Sequence, residues 1–143
     1  MNRIICLGNP FVESDSLGPR VFAELSARGL PPGVELIDGG LAGLNLLRFL
    51  DDCQRVVLAD VVLGAGEPFI MEASAGAGFS SVTAFGHSSG AGYLLGARFA
   101  LGGPDIPQIF VIGAESSHPQ VVREVAGLCL QVALHGRGAE VMA

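Results

Sequence analysis

Asp15, Asp60 and His87 are far apart in the chain, yet each follows an apolar segment and each sits among glycines or other small residues. Two carboxylates and an imidazole gathered at one place make a ligand set able to hold a transition metal while leaving coordination positions open. For them to meet, the segments that precede them must lie side by side with their ends on the same edge. The chain is therefore read first for elements that could do this.

Short apolar runs alternate with helical periodicity. Ile4 to Leu7 is strand-like, and Leu17 to Arg28 spaces Val21, Phe22 and Leu25 along one helix face until Gly29, Pro31, Pro32 and Gly33 end it. Val34 to Ile37 is a second strand. Asp38 and two glycines then turn the chain into an expected helix carrying Leu44, Leu47 and Leu50, and Val56 to Ala59 is a third, wholly apolar strand. Phe69 to Glu72 reads as a fourth. Ala73 to Gly92 is dominated by Gly, Ala and Ser, and much of it is expected to be a mobile loop. A helix from about Gly90 to Leu101, a strand at Gln108 to Ile112 and a last helix from Pro119 to His135 complete the series. Strands and helices alternating in this way predict an α/β domain, its sheet parallel or mostly parallel with helices on both faces.

Ligands collect at the carboxyl ends of the strands in such sheets. Asp15 falls in the loop after the first strand, Asp38 and Asp60 at the ends of the second and third, and Glu115 after the last. Asp60 has Val56 to Ala59 before it and Val61 to Leu63 after it, so its carboxylate needs a partner to remain ionised there. A metal would serve, and so would a hydrogen-bonded helix N-terminus. Ser14-Asp15-Ser16 ahead of a helix is also ordinary N-cap chemistry, and Asp38 before Gly39 and Gly40 is an equally good turn residue.

His87 belongs to a second motif. Gly86 to Gly90 spell G-x-S-x-G between an apolar segment and a helical pattern, which would make Ser88 a nucleophile, with Asp105 or Glu115 and then His118 or His135 in the required chain order. Against this, the chain is short for that hydrolase architecture and has no HGGG-like segment upstream. His118 before Pro119 and His135 before Gly136 also read as a helix-start residue and a C-terminal dipole partner.

Composition narrows the field. At 143 residues the chain is expected to form one domain, residues 1–143. Half of it is hydrophobic, only 15% is charged and mean hydropathy is +0.52, as expected for a sheet covered on both faces. Apolar stretches fall short of the roughly 18 residues of a spanning helix, and the start lacks the features of a signal peptide, so no membrane is expected and the cytoplasm is the expected location. Net charge is −6, and no window gathers basic residues, which argues against nucleic acid. Cys6, Cys53 and Cys129 form no CxxC pair and read as buried thiols. The turn after the first strand has neither the G-x-G-x-x-G nor the P-loop pattern.

The succession Gly8-Asn9, Asp15, Gly18; Asp38-Gly39-Gly40 with Ala42-Gly43; Val57-Leu58-Ala59-Asp60; His87; and Gly113 with Glu115 resembles the nickel-iron hydrogenase maturation endopeptidases over nearly the whole chain. The resemblance implies a three-layer α/β/α fold, phosphorylase/hydrolase-like, with a five-stranded, mostly parallel sheet and one antiparallel strand supplied by the Phe69 segment. It implies that Asp15, Asp60 and His87 contact nickel, with Asp38 close by, and that the metal is borne by the substrate. The implied activity is an aspartyl-type peptidase that removes the C-terminal extension of a nickel-loaded hydrogenase large-subunit precursor. The chain departs from the family pattern at Ser14-Asp15-Ser16, where two adjacent acids and a glycine are usual, and at Phe85-Gly86, where Ser or Pro usually precedes the histidine. A serine hydrolase using Ser88 and a non-catalytic metal- or peptide-binding module on the same fold are the alternative readings.

Overall fold

Asn2–Leu7 (β1), Val34–Gly40 (β2), Arg55–Val61 (β3), Phe69–Ala73 (β4) and Gln108–Ala114 (β5) assemble into one sheet in the order β2-β1-β3-β5-β4. The computed structural model describes residues 1–73 and 90–136. The first four strands of that order run parallel, and β4 pairs antiparallel to β5 with Ile70 opposite Ile112. The mostly parallel five-stranded sheet and its antiparallel Phe69 strand are thus as the sequence implied.

Side chains alternate across a strand, and here both sides are buried. Ile4, Cys6, Val57, Ala59, Phe110 and Ile112 face the helices Leu17–Arg28 (α1) and Pro119–His135 (α3). Ile5, Leu7, Val56, Leu58, Ile109 and Val111 face the helix Gly90–Leu101 (α2) and a 3-10 segment, Gly43–Leu50. Three layers follow directly from central strands whose apolar residues point to both faces of the sheet. Each fully buried Leu, Ile or Phe contributes about 1.5–3 kcal/mol.

Local chemistry fixes the helix ends. Gly29, at φ +80°, stops α1 with its N–H donating to Leu25 O at 3.0 Å. His118 caps α3, its Nδ1 accepting from Gln120 N at 3.2 Å, with Pro119 in the first turn where its missing N–H is harmless. The helix expected to carry Leu44, Leu47 and Leu50 is instead the 3-10 segment. It buries Leu46 and Leu50, half-buries Leu47 and exposes Leu44. Its first residue, Gly43, has φ +59°, so regular helix cannot start there. Most of the segment read as a mobile loop lies outside the described residues, but its ends do not: Ala73 closes β4, and Gly90 opens α2. No helix among the described residues is long and apolar enough to cross a membrane.

Candidate functional site

The carboxyl edge of the sheet is packed too tightly for side chains at several positions. A Cβ on Gly18 would lie 1.9 Å from Leu7 O, and one on Gly113 would lie 2.6 Å from Asp60 O. Gly8, at φ +136°, lets the chain leave β1 and fold back, so that Asn9 N donates to Asp15 O at 2.9 Å. These contacts draw the loop after β1 and the start of α1 onto the strand ends. The 3-10 turn Glu13–Asp15 formed there packs against β3, the strand that carries Asp60.

Asp60 lies one residue from the end of β3 and is 1% exposed. Its place in the two-residue alternation puts it on the α2 side with Val56 and Leu58. One carboxylate oxygen accepts from Val61 N at 2.8 Å, and the other accepts from Ala91 N, at the start of α2, at 3.3 Å. A helix N-terminus presents amides without intrahelical acceptors and a partial positive charge, so it stabilises a buried carboxylate. Of the two alternative partners for Asp60 in its apolar surroundings, the structure shows the helix N-terminus.

Asp15 differs in every respect. It is half-buried, and one carboxylate oxygen accepts from Asn9 N at 3.2 Å. The other oxygen is buried with no hydrogen-bond partner among the described residues. Burial pushes the Asp15 carboxyl up, and the Asn9 amide opposes that shift. Asp15 is not the cap of α1. Ser16 holds that position, and its hydroxyl donates to Glu13 O at 2.8 Å and accepts from Arg20 Nε at 3.2 Å.

Asp38 is exposed on the edge strand, opposite Cys6 in register. Cys6 is in turn opposite Ala59, so Asp38 shares the α1/α3 side and Asp60 has the other. The sheet thus puts both acids at one edge but directs them to opposite faces. His87 and Ser88 lie outside the described residues, and among the described residues no three His, Cys, Asp or Glu side chains form a cluster able to hold a metal. The orphan oxygen of Asp15 fits a ligand role, since a hard anionic donor left without a proton partner suits a divalent cation.

Two features at this edge escaped the sequence reading. Glu115, just after β5, accepts from Gly64 N at 2.7 Å and ties the loop beyond Asp60 to the last strand. Beside it is an open cleft of about 720 Å³ lined by Glu13, Ser14, Arg20, Glu115, Ser117 and His118. Glu115 and His118 thus share this cleft. Asp105 instead lines a separate pocket with Asp51 and Arg98, beyond the C-terminal end of α2. The sequence offered Glu115 as an acid after the last strand, as a candidate triad acid and as part of the family-like succession, but no local signal marked the Gly64 contact.

A family model described as hydrogenase maturation protease (HycI) matches residues 19–71. No curated protein matches the chain. Among solved structures, the hydrogenase maturating endopeptidase HybD from E. coli superposes with a TM-score of 0.68 at 22% identity, over 96% of this chain and 93% of that one. An endopeptidase from Escherichia coli gives 0.64 at 25% identity over 95% and 94%. The [NiFe] hydrogenase maturation protease HybD from Thermococcus kodakarensis gives 0.64 at 18% identity over 92% and 98%. The chain therefore has the fold of the hydrogenase maturation endopeptidases, and over residues 19–71 it matches the sequence model of that family.

Proposed function

We propose that this protein is an endopeptidase that removes the C-terminal extension from a nickel-loaded hydrogenase large-subunit precursor. The observation that carries the reading is the pairing of Asp60, buried at the end of β3, with a neighbouring turn that presents a carboxylate oxygen of Asp15 without a hydrogen-bond partner among the described residues. The match to the maturation protease model and the shared fold point the same way.

In this reading nickel belongs to the substrate and serves as the recognition signal. Asp15 supplies its spare oxygen to the metal, and Asp60 and His87 are the other proposed contacts. Imidazole and carboxylate both suit a nickel ion that still needs donors. Such an ion polarises a nearby carbonyl. Hydrolysis then adds water across one peptide bond: oxygen bonds to the carbonyl carbon, the C–N bond breaks, and a water proton passes to the leaving amine. Asp38, on the other face, is proposed to border the site rather than to act on the same atoms.

The test is incubation of purified protein with nickel-loaded precursor and, in parallel, nickel-free precursor, followed by mass spectrometry. Loss of one defined C-terminal peptide from the nickel-loaded form alone supports the reading. Equal cutting of both forms removes the nickel requirement. Absence of cutting, with a known maturation protease active on the same material, refutes the activity.

A further inference from the structure

Eight large apolar side chains are exposed among the described residues, and five of them lie on the loops that follow β1, β2 and β3. Phe11 is 94% exposed, Leu41 72% and Leu63 56%, with Val12 and Leu44 beside them. The other three, Met1, Leu101 and Leu134, are at the chain start and near the ends of α2 and α3, on the opposite side of the sheet. Exposed apolar residues scattered singly need no explanation, whereas five gathered on one edge, around the acids, mark an interaction surface.

Charge specifies the partner. The segments 8–20, 41–48, 62–68 and 115–118 contain Glu13, Asp15, Glu67 and Glu115 against Arg20 and Arg48, so acids outnumber bases there. A second copy of this chain meeting the same face would set these acids against each other and would seal Asp15 and Asp60 from any substrate. A partner with an apolar surface bordered by basic residues fits instead.

We infer that Phe11, Leu41 and Leu63, with Val12 and Leu44, form a docking rim for the folded body of the precursor, holding it by surface contact while the segment to be cut reaches the acids inside. This rests on the proposed function and adds to it that recognition extends beyond the metal and the scissile segment. Rim contacts made equally before and during the reaction lower KM and leave kcat unchanged.

The experiment compares wild type, a Phe11→Ser/Leu41→Ser/Leu63→Ser variant and a Leu101→Ser control from the opposite side. KM and kcat for the nickel-loaded precursor are measured at low and moderate salt, with thermal unfolding as a check on the fold. The inference expects the rim variant to raise KM by about tenfold or more with kcat retained, the control to match wild type, and added salt to weaken wild-type binding. Cutting by the rim variant at wild-type KM overturns the rim while leaving the proposed function in place. Failure of wild type to bind or cut the precursor overturns both. If the triple variant unfolds, Phe11→Ser alone decides the same question, since that side chain is almost wholly in solvent.

Discussion

Replacing Asp60 by Asn should weaken the fold and abolish processing, and the two effects can be separated. One oxygen of the carboxylate accepts from Val61 N and the other from Ala91 N. An amide side chain keeps one acceptor oxygen and turns an NH2 donor toward the other N–H. One charge-assisted bond inside the protein is lost, at about 1.5–3 kcal/mol. The attraction between the charge and the N-terminus of α2 is lost as well, at about 0.5–1 kcal/mol. A net loss of about 2–4 kcal/mol should leave most of the chain folded, because domains are commonly stable by about 5–15 kcal/mol. With a urea slope of ~2 kcal/mol/M, the unfolding midpoint should fall by about 1–2 M. Asp60→Ala leaves both amides without an acceptor and should lower it further. Urea titration followed by circular dichroism gives the stability, and the precursor assay is then run at a temperature where both proteins are folded. A midpoint unchanged within about 0.2 M would refute the claim that the carboxylate holds α2. Normal processing by folded Asp60→Asn would remove Asp60 from the chemistry.

Gly18→Ala should be among the most damaging small substitutions, since its Cβ would sit 1.9 Å from Leu7 O and α1 would have to withdraw from β1; a loss of about 3 kcal/mol, or ~10 °C in Tm, is expected by calorimetry. Asp15→Asn should stabilise the fold at neutral pH while abolishing processing. Burial raises the Asp15 carboxyl in the folded protein, so folding binds its proton more tightly, and the group opposes folding increasingly as pH rises from the unfolded value toward the folded one and by a constant amount above it. The gain from Asn, under about 1 kcal/mol because the group is partly solvated, should therefore be present at pH 7 and absent near pH 3, as read from denaturant midpoints. Alkylation at pH 8 should modify half-buried Cys53 first and leave Cys129, whose thiol burial pushes up to about 12, and buried Cys6 unmodified until the protein unfolds; mass spectrometry of native and denatured samples gives the order, and rapid native labelling of Cys129 would contradict its burial.

What the sequence determined by itself is what neighbouring residues determine. The apolar runs at Ile4 to Leu7 and Val56 to Ala59, the α1 periodicity and its glycine stop, and the His118-Pro119 start of α3 depend on interactions within a few positions, and all were legible. The acids could be assigned to strand ends for the same reason. The tertiary structure decided which strands are neighbours, and so which loops meet. The sequence allowed either a metal or a helix end as partner of Asp60, and only the fold supplied Ala91 N, 31 residues on. Asp38 and Asp60 look alike as strand-end acids, yet the register of β2 on β1 and of β1 on β3 sends them to opposite faces. Leu44, expected on a helix with Leu47 and Leu50, is exposed in a 3-10 segment that starts at a positive-φ glycine. Local periodicity says that a face exists; long-range pairing says what covers it, and at this edge the loops after β1, β2 and β3 leave Phe11, Leu41 and Leu63 exposed.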